Sequence, residues 1–255
     1  MSLKSRPAVA KGAMLTVRWV AVFLTAGCAT DTQEYAERRV VIESDGWEIV
    51  GDLTLPAETE RVPVVLTLNG AAGNRSAYEA LAQALADRGV ATLRIDLRAH
   101  GESTNLGTFT PDVPGATAIL DGSERDIQAA VRFLETQSSI DPARIGIVGA
   151  SYSGEAMAEA GRAGGYTKAY VALSPGSFST ESAKAIDGSN AAWLFVRSRD
   201  ERVSWVQISV DSVEVYSHTA EVWIVPGTEH AARILPVHAG LTRRIADWLQ
   251  AQLSQ

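Results

Sequence analysis

The stretch VPVVLTLN, residues 62–69, is an almost unbroken apolar run bounded by polar residues. Without polar alternation it cannot lie half in water, so it reads as a strand buried on both faces. More short strands follow: VATLRIDL at 90–97, RIGIVGA at 144–150, KAYVALSP at 168–175, AWLFVRS at 192–198 and AEVWIVPG at 220–227. Between them lie segments with apolar residues at helical spacing. Tyr78, Leu81, Ala82 and Leu85 mark a helix over 76–88, which Gly89 ends. Ile127, Ala130, Val131 and Leu134 mark another over 121–135, before the break at Asp141-Pro142. A helix over 152–162 and a closing helix over 237–253 complete the set. Strands and helices alternating at these lengths imply an α/β fold, a mostly parallel sheet with helices on both faces. RRVVIES and EIVGDLTLP, joined by Asp45-Gly46, add an N-terminal antiparallel hairpin.

The first 27 residues do not share this pattern. They hold Lys4, Arg6, Lys11 and Arg18, no acid, and a short apolar core from Trp19 to Leu24. A spanning helix needs about 20 apolar residues, so the segment reads as a secretory signal, with Met14 an alternative start. Leu24-Thr25-Ala26-Gly27-Cys28 resembles the lipobox of bacterial lipoproteins, although Thr25 stands where that motif has leucine. The resemblance implies lipidation of Cys28, a membrane anchor, and a bacterial envelope location (the outer membrane where one exists), or else a secreted or periplasmic protein. Cys28 is the only cysteine, so it has no internal disulfide partner. The expected organisation is a signal over 1–27, a linker over 28–37 and one domain over 38–255. Removing four cations from 23 leaves 19 Lys and Arg against 30 Asp and Glu, a net of −11. That balance argues against a nucleic-acid surface, which needs clustered Lys and Arg.

GASYSGE, residues 149–155, places Ser151 at a bend between a strand and a helix. A serine hydroxyl is a poor nucleophile until a base takes its proton and a third group orients that base. Both partners should leave the carboxyl ends of later strands. Asp200 follows AWLFVRS, and His230 follows AEVWIVPG. Glu201 reads as a solvated neighbour and Asp211 as exposed. His218 precedes a strand, at the wrong end of the sheet. His238 reads as a surface residue at the start of the last helix. No cluster has metal-ligand spacing, GAAGNR lacks the Lys-Ser/Thr of a phosphate loop, and no cofactor is implied.

From Arg39 onward the chain resembles a small α/β-hydrolase of the dienelactone-hydrolase-like kind. VVLTLNGAAGNR resembles its oxyanion strand and loop, RIDLRAHGES its Asp-x-Arg-Gly-His-Gly-x-Ser turn, and IGIVGASYSGE its nucleophile elbow. The resemblance implies the order nucleophile, acid, histidine as Ser151, Asp200, His230. It also implies an oxyanion hole from the backbone N–H groups of Ala71 and Tyr152. His100, Asp96 and Arg98 would be structural. Asn69, Ala99 and Ser153 depart from the family's His, Gly and Gly, and Ser153 reads as a tolerated small residue. Only 174–191 separates two of the strands, too little for a cap domain. The implied activity is cleavage of accessible, modest-sized carboxylic esters. Peptidase, amidase or acyltransferase activity on the same residues are the alternatives, as is a non-catalytic lipoprotein binding module.

Overall fold

The computed structural model describes residues 35–56, 61–201 and 220–255. The signal segment, Cys28, Asp211 and His218 lie outside the described residues. Eight strands form one sheet: β1 (Tyr35–Ser44), β2 (Trp47–Pro56), β3 (Val62–Leu68), β4 (Ala91–Ile95), β5 (Ile140–Ala150), β6 (Ala169–Leu173), β7 (Ala192–Ser198) and β8 (Glu221–Val225). Their order across the sheet is β1-β2-β4-β3-β5-β6-β7-β8. β1 pairs antiparallel with β2, and β2 antiparallel with β4. Every later pair is parallel. Among the described residues the helices are α1 (Glu79–Ala86), α2 (Ser123–Glu135), α3 (Ser153–Gly164), α4 (Thr180–Asp187), the one-turn α5 (Ile234–Val237) and α6 (Leu241–Leu253).

The continuous apolar strands follow from burial on both faces. In β7, Trp193 and Phe195 join the core under α2 and α3, whereas Leu194 and Val196 join the core under α1 and α6. The same alternation divides β3, with Val64, Leu66 and Leu68 on the first face and Val65 on the second. Tyr170 of β6 stacks on Trp193 of β7, ring centroids 4.3 Å apart. These cross-strand aromatic pairs help fix the register.

Four features differ from the sequence expectation. β1 starts at Tyr35, inside the expected linker, because Tyr35, Ala36 and Glu37 pair with Pro56, Leu55 and Thr54. Glu37 accepts from Thr54 and Arg94, so a polar start to the strand is satisfied. Asp141-Pro142 does not separate the helix from the strand: β5 already begins at Ile140 and takes in both residues, with a register shift between Val62 and Val64 on its neighbour. The expected polar lid contains α4, whose N-cap Ser179 accepts from the Ser182 N–H. The closing helix begins at Leu241, four residues later than its periodicity predicts, after the turn at α5 and Gly240.

Candidate active site

Five parallel strands deliver loops to one edge of the sheet, the carboxyl edge where ligands bind in such folds. β3 leads into Asn69-Gly70-Ala71, β5 into Ser151, β6 into Ser174, β7 into Asp200-Glu201 and β8 into His230. Ser151 has φ +56°, a left-handed conformation unusual for a residue with a Cβ. The sharp bend needs small neighbours. A Cβ on Gly149 would lie 3.0 Å from both Met157 Sδ and Ser153 Oγ, and one on Gly70 3.2 Å from the Ala150 carbonyl.

The bend is held by its own hydrogen bonds. The Ser151 N–H donates to Leu173 O at 3.0 Å, and Ser151 O accepts from the Gly154 and Gly176 N–H groups. Ser153 is fully buried. Its hydroxyl accepts from the Ala150 N–H at 2.7 Å and donates to the Ala150 carbonyl at 2.8 Å. Ser153 is therefore a fastening of the elbow rather than a neutral replacement for glycine.

His230 Nε2 lies 3.0 Å from Ser151 Oγ. On the other side of the ring, Nδ1 is in direct contact with Glu201 Oε1. The acid at the histidine is thus Glu201, not Asp200. The Arg199 and Asp200 N–H groups bond to Val225 O and Gly227 O, which ties the turn after β7 to the loop after β8. Asp200 is left exposed in the turn, and the next residue turns inward. The extra methylene of glutamate gives the reach. Glu201's side chain is 3% exposed, and its second oxygen, Oε2, accepts from Ser174 Oγ at 3.0 Å. Ser198 Oγ donates to Glu229 O at 2.7 Å and ties down the histidine loop.

The expected oxyanion donors lie beside this chain of contacts. The N–H groups of Ala71 and Tyr152 have no acceptor among the described residues. Two buried side chains fix the Ala71 loop. Asn69 donates to Gly70 O at 3.1 Å and accepts from the Leu97 N–H at 2.8 Å. His100 places one ring nitrogen 2.9 Å from Arg98 O and the other 3.2 Å from Ala71 O. Tyr152 stacks on His100, and burial pushes its phenol pKa strongly upward, so it stays neutral. Asp96 pairs with Arg75, and Arg98 with the buried Asp126. These are ties within the scaffold. His238 is half-buried rather than a surface residue, with Nε2 enclosed.

Ser151 and His230 open onto a cleft of about 470 Å³. Its walls are mostly small: Gly70, Ala71, Gly73, Ala77 and Ala232, with Pro236 and Arg233 at the side. Among the described residues, no group of three or more His, Cys, Asp or Glu side chains could hold a metal ion. No described helix is long and apolar enough to cross a membrane.

A mostly parallel sheet covered on both faces, with a serine elbow, a buried carboxylate and a histidine after β5, β7 and β8, is the architecture of the α/β hydrolases. The sequence matches the Alpha/beta hydrolase family over residues 65–252, and the chain belongs to that family. Two uncharacterized proteins of Mycobacterium tuberculosis, from strains CDC 1551 / Oshkosh and H37Rv, are each 36% identical to it over 117 residues. That alignment covers 46% of this chain and 38% of theirs, so the chain matches well under half the length of these relatives. Among solved structures, a Pyrococcus furiosus esterase superposes with a TM-score of 0.68 at 17% identity, covering 86% of this chain and 92% of the other. A dienelactone hydrolase of Anabaena variabilis gives 0.66 at 19% identity, covering 86% and 97%. At these identities the likeness is one of fold.

Proposed function

We propose that the protein is a serine hydrolase that cleaves carboxylic esters of accessible, modest-sized substrates through an acyl-enzyme. The observation that carries this reading is the run of contacts from Glu201 to His230 Nδ1 and from His230 Nε2 to Ser151 Oγ. In this reaction Ser151 Oγ attacks the ester carbonyl while His230 Nε2 takes its proton. Glu201 holds the opposite ring nitrogen and stabilises the imidazolium. The negative oxygen of the tetrahedral intermediate sits between the Ala71 and Tyr152 N–H groups, and one such donor typically lowers a barrier by about 3–4 kcal/mol. Collapse expels the alcohol, which receives the proton from His230. Water then attacks the acyl-serine by the same route in reverse.

The test is a fluorophosphonate probe followed by peptide mass spectrometry on the native protein, Ser151→Ala and His230→Ala. An adduct on the Ser151 peptide that disappears in both variants is the expected result. A folded native protein that takes no adduct would exclude an activated serine and bring the binding-module reading forward. The open cleft with small walls favours short acyl chains. Among p-nitrophenyl esters, butyrate should turn over faster than palmitate, and the reverse order would refute the size argument. Anchoring through a lipidated Cys28 is a further part of the proposal. It predicts a diacylglyceryl mass on the mature N-terminal peptide, absent after Cys28→Ser.

A further inference from the structure

The segment from Leu173 to Gly176, just past β6, touches both ends of the reacting constellation. Leu173 O accepts from the Ser151 N–H, and the Gly176 N–H donates to Ser151 O at 2.9 Å. Between these two, Ser174 turns the other way. Its N–H donates to Val196 O at 2.7 Å on β7, and its hydroxyl donates to Glu201 Oε2 at 3.0 Å. Ser174 is fully buried and has φ +43°. A non-glycine residue keeps such a backbone only where its surroundings impose it, and such residues gather at functional sites. Here the twist aims the hydroxyl at the carboxylate while the flanking backbone holds the nucleophile.

A buried carboxylate needs a partner on each oxygen. His230 serves Oε1 of Glu201, and Ser174 serves Oε2. We propose that the 173–176 segment is a clamp that sets the nucleophile and the acid relative to one another, with Ser174 the positioning residue that orients Glu201. This inference rests on the reading of Ser151, His230 and Glu201 as the reacting set. Without the Ser174 hydroxyl, the Glu201 carboxylate is free to rotate about its last bond, and His230 loses the fixed acceptor that keeps its tautomer.

The experiment is a double-mutant cycle on the full chain, with kcat and KM for a short-chain ester as readout. Ser174→Ala removes the hydroxyl and keeps the backbone twist; Ser174→Gly removes the hydroxyl and relieves the twist. Each should lower kcat about tenfold, the size expected from losing one hydrogen bond to a charged group, with KM changed less than twofold. In a Glu201→Gln background, neither should cost anything further, because the residue through which Ser174 acts is already disabled. An equal loss in both backgrounds, or no loss in either, overturns the role of Ser174 and leaves the serine mechanism standing. If Ser151 takes no fluorophosphonate and Glu201→Gln retains full activity, the reading of Ser151, His230 and Glu201 as the reacting set fails, and this inference fails with it.

Discussion

Ser151 carries a conformational cost for its position. Its left-handed backbone is disfavoured by roughly 1–2 kcal/mol for a residue with a Cβ. Ser151→Gly should therefore have a higher denaturant midpoint than Ser151→Ala, corresponding to about 1 kcal/mol of unfolding free energy, while both lose hydrolysis. Equal midpoints would mean that the bend is unstrained. The second residue-scale prediction separates the two neighbouring acids. Glu201→Gln should lower kcat/KM by about 10³- to 10⁴-fold, the size of removing a carboxylate that orients a catalytic histidine. Asp200→Asn should change it by less than about twofold. The sequence could not make this distinction. Asp and Glu stand side by side, and which one turns inward depends on how the turn after β7 is tied to the loop after β8. The Asp200 bond to Gly227 O is part of that tie, a contact between residues far apart in the chain.

At the scale of elements, strand and helix identities were legible because burial on both faces makes the inner strands continuously apolar, while burial on one face imposes period 3.6 on the helices. Ends were less legible, since caps and turns depend on contacts beyond the local pattern. α4 is an example. Its N-terminus is set by Ser179 and by Glu155 on α3, which accepts from the Ser179 N–H and the Ser182 hydroxyl. The elbow shows the same limit. GASYSGE announces a turn, but not that Ser153 fastens it. Ser153→Gly restores the residue the family has there, yet it removes both bonds to Ala150. Thermal or urea denaturation should show a loss of about 1–2 kcal/mol. A stabilised variant would mean that the hydroxyl contributes nothing. Asn69 is comparable: it departs from the family's histidine, and its amide pins the Gly70 loop to Leu97.

For the whole molecule, a loss of stability in acid follows from exposed ion pairs. Arg39 and then Arg75 hold the Glu102 carboxyl down at about 2. Arg125 lowers that of Asp45, and Arg144 that of Asp141. These groups bind protons more weakly when folded than when unfolded. Their stabilisation is complete above the ordinary carboxylate range and is lost as pH falls from about 4.5 toward 2. Urea midpoints should therefore fall between pH about 5 and pH about 3. The fall should shrink in about 1 M salt, which screens exposed pairs, and in Glu102→Gln. A midpoint independent of pH in that window would exclude the linkage.

The strand order also governs when a growing chain becomes competent. β5, β6, β7 and β8 are neighbours in the sheet in the same order as in the sequence, and the histidine comes after the last of them. α6 then closes over the core that lies against α1, with Asp247 meeting Arg88. A nascent chain can lay down the nucleophile elbow, β6 and β7 while His230 is still untranslated, so the serine meets its histidine only once β8 and the loop beyond it have been made.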